Sequence, residues 1–138
     1  MITIGFIGTG LMGLPMAKNI LKSGFKLKAF NRSIEKAEPL KEFGAEISKT
    51  ISDVVKDSDF VITMLTDDSA VDAITSSSDF LDNLKSGSTV IDMSSVKPTT
   101  ATKHGTNLKS KKCKLFRCTS FRRNNWGRRS LTSYHGWR

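Results

Sequence analysis

The stretch GFIGTGLMG at positions 5–13 constrains the fold more than any other part of the chain. Gly8, Gly10 and Gly13 have G-x-G-x-x-G spacing. They follow an apolar run, ITIGFIG (2–8), and lead into LMGLPMAKNILKSG (11–24). In that segment Leu11, Leu14, Ile20 and Leu21 recur at helical spacing, and Gly24 stands where a helix would stop. A buried strand that turns through glycines straight into a helix is the entrance to a βαβ unit, whose crossover is right-handed. Gly8 permits the tight turn, Gly10 lets the backbone approach a diphosphate, and Gly13 lets the helix pack closely on the strand. The first N–H groups of that helix and its partial positive charge then face the anion. A glycine-rich βα turn that binds nothing is the competing reading.

The alternation continues along the chain. KLKAF (26–30) reads as a second strand, and a helix over 34–43 begins after Ser33 and closes at Gly44. AEIS (45–48) is a short weak strand, followed by a helix near 51–57. DFVITML (59–65) and STVIDMS (88–94) are buried strands, with helical pieces DDSAVDAI and DFLDNL between them. Pro98 is placed to open a further helix. Strands alternating with helices imply an α/β fold, a Rossmann-type doubly wound parallel sheet, here incomplete at its C-terminal edge. In such a sheet the ligand lies outside the carboxyl ends of the strands.

Three strand ends therefore matter. The second strand ends in FNRS, where an NAD-binding domain usually carries an acid that binds the ribose and repels a 2′-phosphate. Asn31, Arg32 and Ser33 offer donors and a cation instead, and Arg32 can grip a phosphate with a fork of N–H groups. NADP(H) is favoured over NAD(H). The alternative is that Arg32 is a solvated charge. The later ends TMLTDD (63–68) and DMSSVKP (92–98) line the same cleft. The expected cofactor-binding set is Gly8, Thr9, Gly10, Leu11, Met12, Gly13, Asn31, Arg32, Ser33, Met64, Leu65, Thr66 and Ser95. Asp67 and Asp68 look like a helix start, Met16 like core or pocket wall, and Ser94 like an ordinary loop or capping residue. His104 receives no role.

Charge is distributed unevenly over the 138 residues. Eleven Lys, one Arg and all thirteen acids lie in 1–108, leaving −1, whereas four Lys and six Arg in 109–138 give +10. The formal +9 belongs to the tail, so a nucleic-acid or anionic-membrane partner is suggested for those thirty residues alone. Arg122, Arg123, Arg128 and Arg129 interleaved with Phe121 and Trp126 resemble a single-strand nucleic-acid patch. Cys113 and Cys118 lack the further convergent ligands that zinc needs. The body has no Cys, as suits a cytoplasmic protein. No run approaches the roughly 20 apolar residues needed to span a bilayer. A core strand starting at Ile2 leaves no room for a signal peptide.

FIGTGLMGLPMAKNILKSG (6–24) resembles the signature of the β-hydroxyacid dehydrogenases, G-x-G-x-M-G-x-x-M-[AS]-x-N-[LIV]-x-x-G. Gly8, Gly10, Met12, Gly13, Met16, Ala17, Asn19, Ile20 and Gly24 match. FNRS is similar to the NADPH-preferring members, and VIDMSSVKP (90–98) to V-I-D-x-[ST]-[ST]-x-x-P, where Ser95 aligns with a residue that contacts the cofactor. The likeness runs to about residue 115. It implies an oxidoreductase that transfers hydride between nicotinamide and a small 3-hydroxy acid or semialdehyde. In that family the chemistry uses a Ser in D-A-P-V-S-G-G, and a Lys with a nearby Asn on a helical second domain. Neither motif is found in this sequence, so turnover is not expected, no catalytic residue is assigned, and the family's oligomer is not expected either. A non-catalytic NADP(H)-binding module is the alternative.

The tail then has an explanation in the genetic code. FRCTSFRR (116–123) can be encoded TTT AGA TGC ACC AGT TTC AGG AGG. From the second base this reads Leu-Asp-Ala-Pro-Val-Ser-Gly-Gly. Asn124 onward can continue as Thr-Ile-Gly-Ala-Glu-Glu, and Trp126 followed by any Gly codon must yield Gly. Glycine codons become AGG or CGG when the frame slips, so arginine runs are the expected product, and neither a nucleic-acid nor a membrane partner is expected. The expected organisation is a dinucleotide-binding domain over 1–112 and a disordered, out-of-frame basic tail over 113–138, with the helical substrate domain absent.

Overall fold

In the computed structural model the described residues are 2–10, 13–65, 67–94, 97–118, 121–123, 129–131 and 134–137, with side chains described up to Arg117. The elements are β1 (Thr3–Ile7), α1 (Gly13–Lys22), β2 (Lys26–Phe30), β3 (Glu46–Ile47), α2 (Ile51–Val55), β4 (Phe60–Thr63), α3 (Asp68–Thr75), α4 (Ser78–Leu81), β5 (Thr89–Asp92), α5 (Pro98–Ser110), β6 (Lys114–Cys118), β7 (Phe121–Arg123), β8 (Arg129–Leu131) and β9 (Tyr134–Trp137). Six strands run parallel in the order β3-β2-β1-β4-β5-β6, and β9 adds antiparallel to β6. β7 and β8 form a separate two-stranded ribbon.

The chain winds outward from β1 through β2 to β3, then returns to the other side of β1 for β4, β5 and β6. The reversal lies between β1 and β4, and crossovers of this kind leave a crevice at the carboxyl ends of those two strands. Inward-facing residues alternate along the buried strands. On one face Ile4, Phe6, Leu27, Ala29 and Ile62 pack with Ala17 and Leu40. On the other Ile7, Val61, Val90 and Leu115 pack with Val54, Val55, Phe80 and Leu108. Burying each of these larger apolar side chains contributes about 1.5–3 kcal/mol, so the two layers hold the crevice rigid between them.

Local chemistry sets the element ends. Thr50 caps α2 by accepting the Asp53 N–H, Asp67 caps α3 by accepting the Ala70 N–H, and Pro98 opens α5 as expected. The helix expected over 34–43 is instead two 3₁₀ segments, Ile34–Lys36 and Glu38–Phe43, and Ser33 makes no side-chain cap. Pro39 supplies the reason: it donates no N–H, and inside an α-helix its ring would strike the carbonyl four residues earlier. Gly44 still closes the segment, at φ 95°.

The sheet also runs past residue 112. β6 pairs with β5 in parallel register, Val90 with Leu115 and Asp92 with Arg117. Cys113, Leu115 and Arg117 alternate into the interior. The period-2 pattern of the first two explains why a strand forms there, and the third inward position carries a cation.

Candidate functional site

The three glycines of the β1–α1 turn occupy three different environments. Gly8 has φ +99°, and a Cβ there would lie 2.0 Å from the Met64 carbonyl oxygen. At Gly13 a Cβ would lie 2.0 Å from the Gly8 carbonyl oxygen and 3.1 Å from the Phe6 ring. At Gly10 it would meet nothing within 4 Å among the described residues. Gly8 and Gly13 are thus closed against the protein's own backbone, while Gly10 is open on the outside of the turn.

Hydrogen bonds brace this turn from both sides. Gly8 N–H donates to the Phe30 carbonyl at 2.9 Å, and Thr9 N–H to Asn31 Oδ1 at 3.1 Å. Asn31 Nδ2 donates in turn to the Ser33 carbonyl at 2.9 Å. Asn31 therefore couples the glycine turn to the loop after β2, with both ends of its amide engaged by backbone. Arg32 and Ser33, next to it, are exposed. The Thr9 hydroxyl is buried with no hydrogen-bond partner among the described residues, a polar atom of the kind that normally has one.

The opposite wall comes from the ends of β4 and β5. Met64 N–H donates to the Ile7 carbonyl at 2.9 Å and Met93 N–H to the Thr63 carbonyl at 2.8 Å, so sheet pairing continues to the lip of the crevice. Leu65 N–H donates to Ser94 Oγ at 2.8 Å. Ser94, read from sequence as loop or cap, is in fact the tie between the two exit loops. Asp92 anchors it: one carboxylate oxygen, Oδ1, accepts the Ser94 N–H at 2.9 Å and the Thr63 hydroxyl at 3.0 Å. Met64 and Leu65 stand half-buried at this lip. Farther along, Asp68 accepts the Lys97 N–H at 2.8 Å and holds the β5–α5 loop against α3.

Behind that wall lies a buried group of ionisable side chains that sequence reading missed. Asp92 is fully buried, and His104 and Arg117 are almost so. His104 Nδ1 is 3.7 Å and Arg117 Nη1 3.6 Å from Asp92 Oδ2, both long for hydrogen bonds. Burial works to raise the pKa of the Asp92 carboxyl. His104, the Ser94 amide and Arg117 outweigh it and hold the group below its ordinary value. The available signal for His104 was its spacing of four from Leu108, which puts both on one face of α5.

The structure brings Gly8, Thr9, Gly10, Gly13, Asn31, Arg32, Ser33, Met64 and Leu65 to one edge of the sheet. Leu11, Met12, Thr66 and Ser95 lie outside the described residues. Among the described residues no cluster of His, Cys, Asp or Glu is suited to a metal ion, and no helix is long and apolar enough to cross a membrane.

A glycine turn opening a helix, with one glycine facing outward at the crevice of a doubly wound sheet, is the geometry of a dinucleotide site. The family model described as the NAD binding domain of 6-phosphogluconate dehydrogenase matches residues 3–119. The chain belongs to that family. Its relatives are 3-hydroxyisobutyrate dehydrogenases and semialdehyde reductases. It is 36% identical over 101 residues to glyoxylate/succinic semialdehyde reductase 1 of Arabidopsis thaliana, covering 72% of this chain and 35% of that protein. With the mitochondrial 3-hydroxyisobutyrate dehydrogenase of Homo sapiens it shares 35% identity over 96 residues, covering 69% of this chain and 29% of that one. The solved 3-hydroxyisobutyrate dehydrogenase of Mycobacterium tuberculosis superposes with a TM-score of 0.81 at 26% identity, over 86% of this chain and 40% of that chain. The chain thus spans about a third of the length of the curated relatives it matches.

Proposed function

We propose that this chain is the NADP(H)-binding part of an oxidoreductase acting on a small 3-hydroxy acid or semialdehyde, and that by itself it binds the cofactor without turnover. The observation that carries the reading is the contrast among the glycines: two are closed against backbone, and the outward-facing third leaves room for a diphosphate. The buried, unpartnered Thr9 hydroxyl fits the same occupant. When bound, the cofactor supplies hydride chemistry. The chain's own part is to seat the diphosphate on α1, to hold the β4 and β5 exit loops together through Ser94, and to present Arg32 to a 2′-phosphate. The exposed Arg32 and the absence of an acid after β2 favour NADP(H) over NAD(H). The Cys-free stretch before Cys113 suits a cytoplasmic setting.

The resemblance gives the proton-donating part to a Lys on a second domain, and none of the residues described here is assigned it. The tail from about residue 116 is read as an out-of-frame translation of the missing serine motif, and sequencing the parent DNA in the second frame tests that directly. The binding test is calorimetric titration of the full chain with NADPH and NADH. Saturable binding is expected, about tenfold tighter for NADPH, a difference of about 1.4 kcal/mol. Arg32→Glu should reverse the order. Failure of both nucleotides to bind overturns the reading.

A further inference from the structure

The glycine turn is braced on two sides, and the two braces face different halves of the sheet. On the β2 side Asn31 accepts the Thr9 N–H and donates to the Ser33 carbonyl, beside the exposed Arg32. On the β4 side the brace is Leu65. Its N–H donates to Ser94 Oγ at 2.8 Å, and its side chain packs against the apolar layer that holds Ile7. A Cβ added to Gly8 would lie 3.3 Å from Leu65 Cδ2, so this leucine rests on the first glycine of the turn.

Ser94 is set for that contact by the residue two before it. Asp92 Oδ1 accepts the Ser94 N–H at 2.9 Å, a local side-chain-to-backbone bond that bends the chain as it leaves β5. The same oxygen accepts the Thr63 hydroxyl at 3.0 Å, which pins the bend to the last residue of β4. Hydrogen bonds to an ionised carboxylate are roughly twice as strong as neutral ones, so the bend is held firmly. Ser94 itself is buried. A path of direct contacts therefore runs from Asp92 through Ser94 and Leu65 to Gly8.

Topology says which part of a ligand this path governs. Strand order reverses between β1 and β4, and a dinucleotide at such a point lies with one mononucleotide over each half of the sheet. Arg32 follows β2, which gives the adenosine to that side and leaves the nicotinamide mononucleotide to the side of β4 and β5. We propose that Ser94, oriented by Asp92, is a positioning residue for the nicotinamide half, whereas Asn31 serves the adenosine half. The inference rests on the dinucleotide reading given above. Ser94 acts through Leu65: without its hydroxyl the Leu65 N–H loses its acceptor, and the leucine is free to leave the turn.

The experiment titrates the full chain with NADPH and with adenosine 2′,5′-bisphosphate, which carries the adenosine half alone. Ser94→Ala should weaken NADPH about fivefold and leave the bisphosphate within about twofold of wild type. Leu65→Ala should show the same selective loss, and Asn31→Ala should weaken both ligands. Val90→Ala opens a cavity in the same strand, away from the path. It should lower the melting midpoint at least as far as Ser94→Ala and leave the ratio of the two affinities unchanged. In the nucleotide-free protein the Leu65 amide should exchange with solvent about tenfold faster in Ser94→Ala than in wild type. Equal weakening of both ligands by Ser94→Ala, no weakening of NADPH, the same pattern from Val90→Ala, or an unchanged Leu65 amide each overturns the inference and leaves the dinucleotide reading standing. Failure of wild type to bind either ligand overturns both.

Discussion

The two flanks of the central strand pair differ in how they treat buried polarity. Around β1 and β2 the backbone of the glycine turn is braced by Phe30 and Asn31, and Gly10 alone is left facing outward. Around β5 and β6 three charged or ionisable side chains share a buried space with five unpaired atoms. Both places contain unmet polar potential, but of opposite kinds. An exposed, preorganised gap at a helix N-terminus is what a ligand fills. A buried, donor-rich cluster is instead a local cost of packing, because its polar atoms lack partners among the described residues.

The sharpest break of this contrast is on the glycine side. Gly8→Ala forces a Cβ onto the Met64 carbonyl at a positive φ. It should cost about 4 kcal/mol, read as a collapse of the denaturant midpoint. On the other flank, Asp92→Asn removes the single acid from a space that holds a guanidinium. A loss of about 3 kcal/mol is expected by chemical denaturation at pH 7. The same variant sharpens the pH argument. The folded Asp92 carboxyl is held below its ordinary 3.8, so its contribution is present above that pH and lost as pH falls through the folded-state value. The acid limb of the stability curve should therefore be shallower in Asp92→Asn than in wild type.

Gly10→Ala is the discriminating partner of Gly8→Ala. Its new methyl meets no atom, so stability should change by no more than about 0.5 kcal/mol. NADPH affinity should nevertheless fall about tenfold, close to 1.4 kcal/mol, as measured by titration. Equal effects on melting from the two alanines would erase the distinction between closed and open glycines. Smallest is Asn31→Ala, which deletes the acceptor of the Thr9 N–H and the donor to the Ser33 carbonyl. A stability loss of about 1 kcal/mol is expected, with weaker NADPH binding because the two loops are no longer coupled.

Much of this architecture was legible because its signals are local. The strand–glycine–helix passage at 2–24, the Asp67 cap and the Pro98 start each depend on residues adjacent in sequence, and each holds in the structure. The helix expected over 34–43 from a start at Ser33 and a stop at Gly44 is two 3₁₀ segments, because those end signals take no account of Pro39 between them. Asn31, expected to offer a donor in the cofactor-binding set, has both ends of its amide engaged by backbone, a fact that needs β1 and β2 side by side. His104 drew no role because its significance rests on Asp92, twelve residues earlier, and on residue 117, thirteen later. Neither distance is a periodicity that reports contact.

By itself, the amino-acid sequence determined the class of fold, the sheet edge where the candidate site lies and the glycine turn at its mouth. Turn and helix preferences act over a few residues, and crossovers have one hand. Only the tertiary structure decided which glycine stays open, which serine ties the cleft wall, and that Arg117 faces Asp92 and His104 away from water. Those outcomes depend on what strand register and helix packing bring together, and burial is what turns the meeting of Asp92, His104 and Arg117 from a tolerable arrangement into an unsatisfied one.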